Sequence, residues 1–269
     1  MKTSHIITFV LMAGQLGAFG FYEPFNYSED QPLTTANPNW VLSGTTANDT
    51  LVALGNLSIA GLAPSLGNSI TNGGVGAAVR IGLGTTISSD TVYYSFGVRI
   101  NSVGATFTST TSFIASFVSP SGTYASRLQI KAATGGYQLG VAKAGQSTVF
   151  DPTVYTEGQT LFIVGSYTFD SVELDLARLW INPSAASFGG ATAPDVTLSD
   201  SAAGGDLLGI SQFTFRQNTA ANTPADMTFD ELRIGSSWAE VTPVPEPSIL
   251  ALGALSLLSL SVYRSRRNI

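Results

Sequence analysis

Between Trp40 and Trp238, apolar residues return at every second position in segment after segment, and no long stretch returns them at the helical interval. Val92, Tyr94, Phe96, Val98 and Ile100 alternate with Tyr93, Ser95, Gly97 and Arg99. Tyr124, Ser126, Leu128 and Ile130 alternate with Ala125, Arg127, Gln129 and Lys131. Tyr137, Leu139 and Val141 form a third set, and Leu161, Ile163, Gly165, Tyr167 and Phe169 a fourth. Val172, Leu174 and Leu176 stand opposite Glu173 and Asp175, and Phe213 and Phe215 flank Thr214. A strand turns successive side chains to opposite faces, so each segment has one face to bury. Sheets of that kind bury it against each other, which predicts an all-β, two-sheet sandwich. Gly73-Gly74, Gly135-Gly136, Gly189-Gly190 and Gly204-Gly205 supply turns, at a spacing often near ten residues.

Chemistry is bounded by what the sequence lacks. It has no cysteine, which removes disulfides and thiolate metal sites. Its one histidine, His5, lies in a stretch that reads as a leader, so Ser-His-Asp catalysis and histidine-held metals are excluded from the mature chain. Residues 21–243 keep 8 of the 12 basic residues and 17 of the 18 acids, leaving −9. That balance argues against nucleic acid and anionic lipid as partners.

The two ends differ from the middle. Met1–Gly20 reads as a secretory signal: Lys2, then apolar Ile6–Met12, then Ala18-Phe19-Gly20 as a cleavage site. Phe21–Trp40 opens the mature chain, with Phe25 and Tyr27 placed as in a first strand. Residues 241–247 hold three prolines and read as a stiff linker. Ser248–Tyr263 is an uncharged, largely apolar run, short for a membrane span, and Arg264, Arg266 and Arg267 follow it. The arginines place residues 264–269 in the cytoplasm and the rest outside. The tail resembles the PEP-CTERM sorting signal of exosortase-bearing bacteria. The likeness lies in Val244-Pro245-Glu246-Pro247, the short span and the terminal arginines. It implies an inner-membrane precursor, recognition by an exosortase, cleavage near the box and delivery to the cell surface or extracellular matrix.

A second resemblance covers residues 21–240. Leu179-Trp180-Ile181-Asn182-Pro183 and Thr228-Phe229-Asp230-Glu231-Leu232-Arg233-Ile234-Gly235 are similar to closing strands of concanavalin A-like, laminin-G-type jelly rolls. In those folds the Phe-Asp-Glu strand returns beside the first strand.

Glu173-x-Asp175 is the carboxylate pair worth weighing as chemistry. On a strand both would face one way, and close like charges raise one pKa, as glycosidases require. Laminarinase-type jelly rolls add a third carboxylate, but here Ala177 and Arg178 occupy its positions. The preferred reading is therefore a solvent-facing polar edge. Asp170, Asp175, Asp195, Asp200, Asp206 and Asp230 are candidate calcium ligands, without a fixed-spacing motif. Tyr93, Trp40 and Trp238 are candidates for stacking on sugars. The resulting expectation is an exported, non-enzymatic surface protein that binds glycan or matrix, with Glu173, Asp175 and Asp230 as candidate contacts. The alternative is a carbohydrate-active, glycoside hydrolase-like enzyme using Glu173 and Asp175.

Overall fold

The computed structural model describes residues 20–44, 49–145 and 147–245. Most of the signal stretch, Glu246, Pro247, the apolar run of residues 248–263, Arg264, Arg266 and Arg267 lie outside them. Among the described residues, no helix is long and apolar enough to cross a membrane. The strands are β1 (Gly20–Glu23), β2 (Trp40–Ser43), β3 (Leu51–Ala53), β4 (Ser69–Asn72), β5 (Ala78–Ile87), β6 (Thr91–Ser102), β7 (Ser112–Val118) and β8 (Tyr124–Ala133). They continue with β9 (Gly136–Ala142), β10 (Val149–Phe150), β11 (Thr160–Thr168), β12 (Leu176–Ile181), β13 (Leu198–Asp200), β14 (Ile210–Phe215) and β15 (Asp226–Gly235). Two helices have four residues each, α1 (Leu33–Ala36) and α2 (Trp238–Val241).

The strands form two antiparallel sheets packed as a jelly-roll-like sandwich. An eight-stranded sheet runs β13-β12-β11-β6-β15-β4-β3, with β1 also on β15. A seven-stranded sheet runs β10-β9-β8-β7-β14-β5-β2. The alternating apolar sets meet between them: Tyr94, Phe96, Phe117, Phe213, Phe215 and Phe229 are all fully buried. Their rings pack edge to face, as for Phe96 on Phe215 at 5.2 Å and Tyr94 on Phe117 at 5.1 Å.

The last strand does return beside the first, with Gly20 opposite Gly235 and Glu23 opposite Leu232. The first strand lies earlier than Phe25 and Tyr27 suggested. It stops at Glu23, whose buried carboxylate takes bonds from the Phe25 amide, the Tyr27 hydroxyl, Asn37 Nδ2 and Trp40 Nε1. Phe25 then turns into the core at φ 51°.

The outer face of the eight-stranded sheet is covered. Phe162 and Val164 on β11 and Trp180 on β12 pack with Leu62, Phe188, Trp238 and Val241 into a second apolar cluster. β15 ties down the covering loop: Asp230 accepts from the Leu57 amide at 2.7 Å, and Glu231 from the Leu66 amide at 2.8 Å. The outer face of the seven-stranded sheet carries no second apolar cluster of this kind among the described residues.

Two segments depart from the alternation. Residues 170–175 are a loop, not a strand, and Val172 is 90% exposed. Asp170 causes this locally, because its carboxylate accepts from the amides of Val172 and Glu173 and bends the chain. The other departure is in β8. Ser126 sits at φ 47°, where the pairing with β7 shifts register. The extra residue turns Tyr124 from the expected core phase to the outer face.

Candidate functional site

The open face of the seven-stranded sheet follows from simple parity. Val79 and Ile81, Phe213 and Phe215, and Leu128 and Ile130 point into the core. Arg80, Thr214, Arg216, Arg127, Gln129 and Lys131 therefore point away from it. No strand of this sheet contains an aspartate or glutamate, although acids outnumber bases in the chain.

At its centre Thr214 on β14 stands between Arg80 on β5 and Ser116 on β7. Both small side chains turn their hydroxyls to backbone carbonyls, Thr214 to Val79 and Ser116 to Ala125. They make a low floor two strands wide. Arg80 reaches across it and donates from Nη2 to the Tyr124 hydroxyl at 2.7 Å, its guanidinium 5.3 Å from the Tyr124 ring centre. Arg80 Nε is buried and has no hydrogen-bond partner.

Phe113 holds the other two guanidiniums. Its ring lies 4.7 Å from that of Tyr124, with Arg216 at 4.4 Å and Arg127 at 5.9 Å. Burial lowers the pKa of Arg127; Asp200 opposes this and Arg216 adds to it. Burial also lowers that of Arg216, with Tyr124 opposing. Arginine does not give up its proton in proteins, so the cost stays as unfavourable positive potential. Three guanidiniums around two rings thus form a socket for an anion, with a phenol at its edge. Gln129 lies directly across from Phe113 on β8, 1% exposed, and its buried Oε1 has no partner. Further along β8, the Lys131 ammonium lies 4.2 Å from the Phe150 ring centre.

The residues picked from the sequence lie elsewhere. Glu173 and Asp175 are not a catalytic pair on a strand. Glu173 is exposed in the loop, while Asp175 is buried and accepts from the Tyr167 hydroxyl and the amides of Asp170 and Leu207. Asp175 therefore organises the loop. Asp230 is buried under the loop it holds, and burial pushes its pKa up to about 7. Trp40 and Trp238 are buried, and Tyr93 packs on Trp180 and Trp238, so none offers a free face to a sugar. Among the described residues, no three acidic or histidine side chains converge as a metal site. Val244 and Pro245 are exposed where the described chain ends. A cleft of about 410 Å³ lies on the other sheet between Phe21, Ala63 and Pro243. Its charged residues are committed, Arg233 to Glu231 and Glu240 to capping α2. The basic face was missed because its parts are far apart in sequence and one of them is turned outward by the bulge.

Neither a protein-family model nor a curated protein sequence matches this chain. Among solved structures, the fold is similar to the endo-β-1,4-glucuronan lyase of the fungus Trichoderma reesei: TM-score 0.50, 12% identity, 84% of this chain and 98% of that one. Alginate lyase Aly36B also aligns, at TM-score 0.48 and 14% identity over 80% of this chain and 96% of that one. Trypanosoma rangeli sialidase aligns at TM-score 0.41 and 11% identity, over 76% of this chain and 31% of that one. The likeness to the glucuronan lyase is one of fold, and it overturns the expectation of a non-enzymatic chain. That expectation took a sandwich without histidine or a third carboxylate to be unequipped for catalysis, yet a polysaccharide lyase is built on this sandwich.

Proposed function

We propose that this chain is a carbohydrate-active enzyme that cleaves uronate polysaccharide by elimination across the open face of its seven-stranded sheet. The observation that carries the proposal is the cluster of Arg80, Arg127 and Arg216 on a face whose strands hold no carboxylate. Glucuronan and alginate, named for the two lyases above, are such polymers. A uronate carries its carboxylate on C5, and guanidiniums that neutralise it make the C5 proton easier to remove. In the elimination the C5–H bond breaks and its electron pair forms the C4=C5 double bond. The C4–O4 bond then breaks, and O4 takes up a proton. Tyr124 is placed to carry the proton, and the guanidinium of Arg80 meets charge forming on its oxygen. This route needs neither a histidine, absent after His5, nor the third carboxylate missing beside Glu173 and Asp175. It keeps the carbohydrate-active reading but moves it from Glu173 and Asp175 to the opposite sheet.

The test is direct. Purified chain is incubated with polyglucuronate and with alginate, and the ultraviolet absorbance of the conjugated C4=C5 bond is followed. A rise that Arg216→Ala abolishes supports the proposal. No rise, with no retention of the protein on either polymer, overturns it.

For the ends we propose export through residues 1–20 and sorting through Val244-Pro245-Glu246-Pro247, with residues 248–263 as a temporary anchor stopped by Arg264, Arg266 and Arg267. The support is sequence alone, the leader-like pattern of residues 1–20 for export and the tail for sorting. On this reading an exosortase is a partner, the enzyme works at the cell surface or in the matrix, and the concanavalin A-like resemblance describes its topology.

A further inference from the structure

Lys131 stands on the basic face without an acid to hold it. Among the described residues the ion pairs are Lys143 with Asp206 and Arg233 with Glu231, so no carboxylate meets the Lys131 ammonium. Its contact is the ring of Phe150, 4.2 Å away, and both side chains are half-exposed. With Arg80, Arg127 and Arg216, it makes four of the eight basic residues between positions 21 and 243 that stand on this one face. Like charges gathered on one face repel each other, and an anion lying across them relieves the repulsion.

Cross-strand register sets the spacing. Phe113 on β7 faces Gln129 on β8, Gln129 faces Gly140 on β9, and Gly140 faces Phe150 on β10. The rings of Phe113 and Phe150 thus belong to one row, three strand spacings or about 14 Å apart at the backbone. Phe150 shortens the gap, because a Cβ on Gly140 would lie 2.8 Å from its Cδ1, so the ring leans over Gly140. One carboxylate still cannot touch both the guanidiniums on Phe113 and the ammonium on Phe150. A polymer with a carboxylate on every sugar can, through two different sugars. From this we infer that Lys131 is a positioning residue for long substrates. It takes the carboxylate of a sugar remote from the one seated among the arginines, so the polymer leaves the socket towards the β10 edge. The inference rests on the uronate reading of the face and adds a second carboxylate contact, and with it a preference for chain length.

The experiment is a length series of oligoglucuronates, from the shortest that the purified chain turns over up to the polymer. For the wild type, kcat/KM per linkage should climb once the oligomer is long enough to pass Phe150. Lys131→Gln should raise KM for the long substrates by about fivefold, the worth of one partly exposed charged contact, and leave kcat and the short substrates unchanged. Lys131→Arg, which keeps the charge, should restore most of the affinity. If the chain binds the oligomers without turning them over, the same series is read as Kd. A Lys131→Gln variant that keeps the wild-type gain with length, or that loses equally at every length, overturns the inference and leaves the uronate reading intact. Absence of both turnover and binding across the wild-type series overturns the uronate reading itself. The wild-type series can also refute the inference alone, since a response that is flat with length leaves nothing for Lys131 to supply.

Discussion

Arg80 reaches Tyr124 only because Thr214 and Ser116 between them are small and turned down to the backbone. The contact is therefore a property of four residues on four strands, and its chemistry can be removed with one atom. Tyr124→Phe keeps the ring on Phe113 but deletes the oxygen that Arg80 meets. Turnover on polyglucuronate should fall by about 100-fold or more, the usual worth of a positioned proton carrier. The melting midpoint should move little, since one half-buried hydrogen bond contributes about 1 kcal/mol. An unchanged rate would remove Tyr124 from the chemistry. The sequence hides this constellation for two reasons. Net charge averages over the molecule, so an acidic total conceals a sheet without acids. And residues 80, 113, 124, 127 and 216 share no spacing, because their neighbourhood is made by cross-strand register. By contrast, the core sets around Tyr94, Phe213 and Leu139 were legible, since burial of one face in two imposes its period directly on the sequence.

Single elements carry their own departures from regularity. In β8 the bulge at Ser126 decides which face Tyr124 occupies. No sequence period announces a bulge, which is why the alternation placed Tyr124 in the core. A β-branched residue at positive φ is strained by about 1–3 kcal/mol. Ser126→Val should therefore lower the urea midpoint and weaken binding to polyglucuronate together, read by denaturation and by affinity electrophoresis. Loss of stability with undiminished binding would show that the bulge does not set the face. In β15, Asp230 and Glu231 form a second bulge, Glu231 at φ 57°, and hold the loop over the eight-stranded sheet. Asp230 has its pKa pushed from 3.8 to about 7, by burial first and by Glu231 among the neighbours, against the Leu57 amide and Arg233. Its proton is thus held in the folded chain at a pH where the unfolded chain has released it. The associated stability is full below about pH 4 and is lost as pH rises to about 7, by a few kcal/mol at most. Asp230→Asn cannot ionise. Its stability relative to wild type should improve between pH 4.5 and pH 8 in urea titrations. A relative stability that does not change with pH would mean that Asp230 ionises as an ordinary aspartate.

Across the whole molecule, charge is divided between the sheets. β15 brings Asp226, Asp230 and Glu231 to the eight-stranded sheet, while the strands of the seven-stranded sheet hold none. Attraction of a polyanion to the basic face should weaken as sodium chloride rises past the point where the screening length falls below about 8 Å. Binding that is indifferent to salt would argue that stacking, not charge, holds the polymer. The limits of the described residues lie on the other side. Gly20 on β1 and Pro243 line one cleft beside the eight-stranded sheet, so a tail anchored there would leave the basic face turned away from its attachment. Mass spectrometry of surface protein should find a chain ending near Pro247. Recovery of the 248–269 peptide in that fraction would reduce the tail to a plain anchor.

The burial of Lys143 has a practical consequence for labelling. Its ammonium is fully enclosed and bonded to Asp206, which leaves Lys131 as the accessible lysine among the described residues. Lysine-directed labelling will therefore fall on the basic face beside Phe150, where it would obstruct a bound polyanion, so coupling is better run near neutral pH, where the α-amine reacts first. The same scarcity makes Lys131 a footprint. Its rate of acetylation by a small reagent reports, at one site, how much of the face a bound polysaccharide covers.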